Sequence, residues 1–365
     1  MSNRDHPLHG LLIVDKPGLQ PATTNPIDGT PSPSLDQPSF VLSTMPTLRL
    51  PTSHDIVQLV RRWSRERQIG HTGTLDPLAS GVLVLCLGHA TRLVEYYQGH
   101  AKQYVAEIVL GNATDTYDAL GAVTAMASVP PLTIDRIEAA LHPFRGSILQ
   151  APPAYSAIKQ GGESLHRKAR RGETVTLVPR PVTFYQIKLI DFVAPDRIHL
   201  HVHCSAGAYI RSLAHDLGVA LQTFAHLAAL RRTAAGPFTL ENAHPLDIIE
   251  AAAQQNFLPR LLLAPGYGLD LPRVVLDVAQ IRRFGQGQKV PLPATSISTE
   301  LAESLIAGAA PLVSAWDASG HCVGILRWLG ASAAPQTGTV WKAEKWFAAA
   351  PDEVGNATPL ATPDS

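Results

Sequence analysis

Strand-like and helix-like stretches follow one another in this chain without strict β-α-β alternation. That order points to an α+β fold with a mixed or antiparallel sheet flanked by helices, not a doubly wound sheet. Residues 198–204 alternate Ile, His, Leu, His, Val, His and Cys, the period of a half-buried strand. Residues 11–15, 82–87, 104–110 and 185–193 also have strand character. Thr52 or Ser53 can cap a helix whose apolar Ile56, Val60 and Trp63 fall at i, i+4 and i+7. Further helices are expected near residues 134–141, 210–221 and 247–264. Pro265-Gly266 marks a boundary, and the short strands beyond it, at 274–276, 312–316 and 322–328, read as a small β domain. The expected organisation is a large domain over residues 1–264, a β domain over 268–347 and a disordered tail over 348–365. Residues 19–50 are rich in Pro, Ser and Thr, carry only Asp28, Asp36 and Arg49 as charges, and show no period, so they read as a disordered insertion.

Composition narrows the class. An apolar content of 45% excludes disorder over the whole length. Thirty basic against thirty acidic residues exclude a polycation, though not a nucleic-acid binder with a local basic face. Cys86, Cys204 and Cys322 are odd in number and far apart, which argues against a disulfide framework or a structural zinc. The apolar stretch 82–87 is far too short for the roughly 20 residues that span a bilayer, and the first residues lack the apolar core of a secretory signal. A soluble, cytoplasmic protein with no membrane partner is expected. His199, His201 and His203 fall on the polar side of their strand with no Cys or carboxylate cluster to complete a metal site, so no metal is expected.

Several residues could carry chemistry. Asp76 precedes Pro77 in a Gly- and Pro-rich loop, Gly70 to Leu78, just ahead of a buried strand. The residue before a proline is pushed toward extended backbone, which presents its side chain in a fixed direction. Taken alone, it reads as a turn-initiating aspartate. Two basic clusters, Arg61, Arg62, Arg65 and Arg67, and then Arg167, Lys168, Arg170 and Arg171, are candidates for a phosphate-binding face or for an ordinary solvated one.

Residues 70–83 read Gly-His-Thr-Gly-Thr-Leu-Asp-Pro-Leu-Ala-Ser-Gly-Val-Leu, and this segment resembles the signature of the bacterial tRNA pseudouridine-55 synthases, the TruB type. Other matching motifs follow in the family's order. They are Gly10 to Pro17 joined with Thr52-Ser53-His54-Asp55, then Lys102-Gln103-Tyr104, then residues 111–118, then Phe144-Arg145-Gly146 with residues 150–159. Residues 204–213 and Leu230-Arg231-Arg232 complete the set. One departure is plain: in the family Lys-Pro is followed within a few residues by Thr-Ser, whereas here residues 18–51 intervene. A longer loop adds little closure entropy, so the two halves can still meet.

The resemblance implies an isomerase that detaches uracil from its ribose, turns it and rejoins it through carbon, on a uridine flipped out of the tRNA T-loop. Asp76 would be the nucleophile, at ribose C1′ or base C6. Arg211 would supply its countercharge and Tyr104 would stack on the base. Tyr209 and Leu230 would line the pocket, His71 would fill the space the base leaves, and Asp118 and Lys159 would contact substrate. The resemblance implies tRNA as the partner, with no cofactor and no guide RNA, and a monomer is expected. Beyond residue 264 the chain resembles a PUA-like domain, on Phe284-Gly285-Gln286-Gly287-Gln288, residues 316–325 and Val340-Trp341-Lys342. That segment carries 7 Lys+Arg against 9 Asp+Glu, which does not advertise RNA binding.

Overall fold

The computed structural model describes residues 8–21, 50–155, 159–160, 163–164, 171, 177–293, 312–331 and 339–347. Two compact units emerge: one from Leu12–Leu85 with Tyr97–Leu261, the other from Met1–Leu11, Cys86–Tyr96 and Leu262–Ser365.

The first unit is organised on a large sheet. Strands β1 (Gly10–Lys16), β2 (Ser80–Leu87), β3 (Lys102–Leu110), β4 (Gly146–Gln150), β5 (Arg180–Val193), β6 (Arg197–Cys204) and β7 (Ala225–Ala235) lie in the order β1-β2-β7-β3-β6-β5-β4. β7 is parallel to β2, where Arg231 and Arg232 stand opposite Ser80 and Gly81, and antiparallel to β3, so the sheet is mixed. Helices α1 (Ser53–Ser64), α2 (Ile134–Leu141), α3 (Ile210–Leu221) and α4 (Leu246–Gln254) accompany it, with α3 packed on β7 and α1 on α4. The fold is α+β. Every residue of β2 is buried, which fits its unbroken apolar run. Thr52 caps α1 through a capping box with Asp55; Ile56 and Val60 are fully buried, whereas Trp63 is only partly so.

Gly81 on β2 stands opposite Arg232 on β7. Its φ is +96°, and a Cβ there would lie 2.2 Å from the backbone oxygen of Arg232. Only glycine fits a left-handed backbone that close to a neighbouring strand. Gly81→Ala is therefore expected to destabilise the protein by about 3 kcal/mol, read as a lowered midpoint in urea unfolding. An unchanged midpoint would mean that the strands can part without cost.

Three local expectations need correction. The alternation along 198–204 puts Ile198, Leu200, Val202 and Cys204 in the core, and His201 and His203 half-exposed, but His199 is only 1% exposed. It faces Glu107 across the β3–β6 register, its Nε2 3.6 Å from a Glu107 oxygen that shares its carboxylate with Arg197. The carboxylate partner lies on another strand, so alternation within one strand could not reveal it. Second, Gly70 and His71, expected at the start of the Gly70–Leu78 loop, belong to a three-residue strand, Ile69–His71, paired with β2. Third, the helix expected over 247–264 stops at Gln254; Asn256 takes a φ of +60°, which ends it, and a short 3-10 turn follows over Leu258–Leu261.

The second unit contains a five-stranded sheet of β8 (Arg273–Val275), β9 (Val290–Leu292), β10 (Leu312–Trp316), β11 (Cys322–Ala331) and β12 (Thr339–Trp346), in the order β8-β10-β11-β12-β9. Helix α5 (Val278–Gly285), capped by Asp277 and Gln280, turns Phe284 into a core with Val313, Leu326 and Trp341. All three cysteines are free and buried. Among the described residues no helix is long and apolar enough to cross a membrane, and no group of three or more His, Cys, Asp or Glu could hold a metal. Of the insertion read as disordered over 19–50, residues 19–21 and 50 are described, and Leu19 is ordered, bridging to Ala79 with its N–H donating to the Leu78 oxygen at 2.7 Å; residues 22–49 and the tail over 348–365 lie outside the described residues.

Candidate active site

The loop that carries Asp76 is held from three sides by groups that bond to its backbone. Ser53, the first residue of α1, accepts the Leu75 N–H at 2.8 Å and donates to the Leu75 oxygen at 3.0 Å. Lys16, at the end of β1, donates to the oxygens of Pro77 (3.1 Å) and Ala79 (2.6 Å). Arg232 on β7 donates to the oxygens of Val82 (2.6 Å) and Gly73 (3.2 Å). Burial pulls the Lys16 ammonium down to about 7, with the negative charge of Asp76 pulling the other way. A turn closed by Ala79 N–H on the Asp76 oxygen then leads into β2. Backbone clamps of this kind fix the direction of a side chain without using the side chain itself.

Arg211, in the first turn of α3, meets Asp76 at two points: Nε lies 2.9 Å from Oδ2 and Nη2 donates to Oδ1 at 3.1 Å. The guanidinium is buried, with 5% of the side chain exposed against 32% for Asp76. Its remaining capacity is absorbed by the carbonyls of Thr116 and Tyr155, each at 3.0 Å, and by the Asp118 carboxylate at 3.6 Å. A planar fork bonded at once to Asp76, Thr116 and Tyr155 is held in one orientation. Burial raises the Asp118 carboxyl above its ordinary range, while its bond from Thr116 and the charge of Arg211 work in the opposite sense.

Asp76 opens into a cavity of about 540 Å³, also lined by Lys102, Tyr104, Tyr155, Tyr209, Arg211, Leu230 and Arg232. That volume suits a small organic group such as a nucleoside. Tyr104 on β3 and Leu230 on β7 offer apolar surface, and burial raises the Tyr104 phenol, keeping it protonated. Tyr209 precedes α3 and is held by Gln150, which accepts its N–H at 2.8 Å and donates to its oxygen at 3.0 Å. Lys102 spends its ammonium on the carbonyls of Gln98 and His100, both at 2.6 Å, and burial lowers it to about 8. The arrangement presents one charged carboxylate, fixed by a guanidinium, to a flat ligand between aromatic and aliphatic walls.

Residues 61–210 match the profile described as TruB family pseudouridylate synthase (N terminal domain), and residues 211–266 match that of the tRNA pseudouridylate synthase B C-terminal domain. A tRNA pseudouridine synthase B of Xanthomonas campestris pv. campestris (strain B100) is 41% identical over 291 residues, 79% of this chain and 84% of the relative. The chain belongs to the TruB family.

A TruB relative from Symbiobacterium thermophilum, also a tRNA pseudouridine synthase B, is 45% identical over 228 residues, 62% of this chain and 75% of its own. Two solved structures share the fold at a TM-score of 0.63. An H/ACA RNP bound to a substrate RNA containing 2′-deoxyuridine is 21% identical, covering 94% of this chain and 86% of its own. A Cbf5-Nop10-Gar1 complex is 23% identical, covering 93% and 85%. In this TruB chain, Asp76, Arg211, Tyr104, Tyr209 and Leu230 meet around one cavity. Asp118 does not line it but sits behind Arg211, and His71 ends its short strand outside the lining, with Nδ1 buried and unpartnered among the described residues. Arg61 and Arg62 lie on α1, where Arg61 donates to Gln58 at 3.0 Å, and Arg171 is exposed. The Lys159 side chain and Arg167, Lys168 and Arg170 lie outside the described residues. Motif order leaves Ser53, Lys16 and Arg232 without a role; the signal available for Lys16 is a lysine ending a buried strand, which burial tolerates only when it is bonded.

Proposed function

We propose that this chain converts uridine to pseudouridine at position 55 in the T-loop of tRNA, with Asp76 as the nucleophile. The observation that carries this reading is the two-point Asp76–Arg211 pair at the wall of a nucleoside-sized cavity. The uridine must leave the RNA stack to reach it. Its base then lies against Tyr104 and Leu230, where stacking on an aromatic face is worth about 1–3 kcal/mol. The Asp76 carboxylate attacks C1′ or C6, the N1–C1′ bond breaks, and the base turns. A C5–C1′ bond then forms, the bond to Asp76 is released to regenerate its carboxylate, C5 loses its proton and N1 gains one. Arg211 holds the carboxylate in line and neutralises it between bond-making steps.

tRNA is the substrate by analogy with relatives at 41% and 45% identity that carry that substrate in their names. The RNP structures are more distant and speak to fold alone, so the reading is a monomer that acts without a guide RNA, in the cytoplasm. His71 takes the space left by the base, Lys159 contacts the substrate, and the basic residues around Arg61, Arg62 and 167–171 contact phosphates. Purified protein incubated with an unmodified tRNA transcript, without added RNA or metal beyond what folds the tRNA, is expected to place pseudouridine at position 55 and nowhere else. No product, or product at another position, would overturn this reading.

A further inference from the structure

The turn that grips the back of Arg211 is also strapped to the helix that carries Arg211. Residues 114–121 form that turn. It is tied off by Thr114 Oγ1 on the Asp118 oxygen (2.8 Å), Thr116 Oγ1 on Asp118 Oδ1 (2.7 Å) and the Leu120 N–H on the same Oδ1 (3.0 Å). It is bolted to β7 by two backbone bonds, Leu227 N–H to the Tyr117 oxygen at 3.0 Å and Ala119 N–H to the Leu227 oxygen at 2.9 Å. On the helix side, the ring of Tyr117 lies flat on that of His215, centroids 3.9 Å apart and planes within 12°. His215 follows Arg211 by one turn on the same face of α3.

The backbone of Tyr117 makes this contact notable. Its φ is +62°, in the left-handed region that a bulky side chain rarely enters. Glycine would hold the position without strain, so what tyrosine adds there is its ring. Strained residues of this kind persist where the surroundings over-determine them, and they gather at sites where geometry matters. His215 Nδ1 is buried and has no hydrogen-bond partner among the described residues, which leaves the stack as the visible tie of that ring. Burial lowers the imidazole and the adjacent Asp216 opposes it, in keeping with a neutral ring.

The geometry points to Tyr117 and His215 as positioning residues for the reaction, a stacked pair that sets how far the turn stands from α3 and so where the Arg211 guanidinium lies between Thr116 and Asp76. This rests on the reading of Asp76 as the nucleophile. The turn supplies the Thr116 oxygen and Asp118; the helix supplies the guanidinium. If the two drift apart, Arg211 follows either the turn or Asp76 and loses the other. A misplacement of about 1 Å at such a site can cost on the order of 100-fold in rate.

The test compares single-turnover rates on saturating tRNA, tRNA affinity and thermal unfolding for Tyr117→Gly, Tyr117→Phe, His215→Ala and the double variant Tyr117→Gly/His215→Ala, with Asp76→Asn alongside. Tyr117→Gly is expected to slow the chemical step about 10- to 100-fold while tRNA affinity stays within about threefold and the protein stays folded, since glycine relieves the backbone. Tyr117→Phe, which keeps the ring, is expected to restore the rate. His215→Ala should match Tyr117→Gly, and the double variant should be no slower than either, as for two halves of one contact. Wild-type rates in Tyr117→Gly and His215→Ala, a Tyr117→Phe as slow as Tyr117→Gly, or a loss confined to affinity would each overturn the proposal. If Tyr117→Gly fails to fold, His215→Ala decides alone, because it leaves the turn untouched. An active Asp76→Asn removes the nucleophile reading and this inference with it. An inactive Asp76→Asn beside wild-type rates in the stack variants removes only the inference.

Discussion

Asparagine at position 76 is expected to cut pseudouridine formation by at least about 10⁴-fold, the scale seen when a covalent nucleophile is removed. A carboxamide oxygen cannot form and release the covalent bond the reaction needs. tRNA affinity should change by less than tenfold, or about 1.4 kcal/mol, because the contacts that shape the loop are made to its backbone. Ser53, Lys16 and Arg232 hold the loop by its backbone. Arg211 keeps the Thr116 and Tyr155 carbonyls and Asp118. Pseudouridine mapping after a single turnover, with tRNA binding measured on the same preparation, separates chemistry from binding. A turnover rate within tenfold of wild type would take Asp76 out of the mechanism.

Arg211→Met should affect both activity and stability. The rate is expected to fall by about 10³-fold or more, since Asp76 loses the group that aims it. Stability should drop by about 3–5 kcal/mol, because removing one member of a buried ionic cluster strands its partner. The stranded partner is Asp118, buried and already raised above the usual carboxylate range. Without Arg211 that shift grows. A carboxyl whose folded pKa lies above its unfolded one contributes stability in acid that is lost as pH rises through the folded value. The melting-temperature gap between variant and wild type is therefore expected to widen from pH 5 to pH 8. A constant gap would show that Asp118 does not titrate in this range. Arg211→Lys is expected not to rescue the rate, since one ammonium cannot reach Asp76 at two oxygens and both carbonyls at once.

What could be read from the sequence divides along the range of the interaction. Helix α1 shows itself through Thr52, Asp55, Ile56 and Val60, and β2 through its apolar run, because both signals are local. The alternation in β6 identifies the strand but hides the burial of His199, whose cause is Glu107 on another strand. Asp76 and Arg211 are legible only through the resemblance of their motifs; no period or spacing in the chain links residues that far apart. The roles of Ser53, Lys16 and Arg232 were out of reach for the same reason, since each acts on backbone atoms of a distant segment. Asp118 was expected at the substrate and lies instead behind the guanidinium, a distinction that only the packing of the 114–121 turn against α3 could make.

The clamps on the Asp76 loop span very different lengths of chain: 22 residues from Ser53 to Leu75, 63 from Lys16 to Ala79, 135 from Arg211 to Asp76 and 159 from Arg232 to Gly73. A growing polypeptide therefore carries Asp76, together with Lys16 and Ser53, before the residues of the last two clamps, Arg211 and Arg232, have been made. Only when β7 has emerged from the ribosome can Arg232 close the last clamp. Contacts this distant are slow to form, because chain entropy must be lost before any of them is gained. Prematurely released fragments that end before β7 would lack the Arg232 clamp on the Asp76 loop, so translational errors should yield inert fragments rather than enzymes that modify RNA indiscriminately.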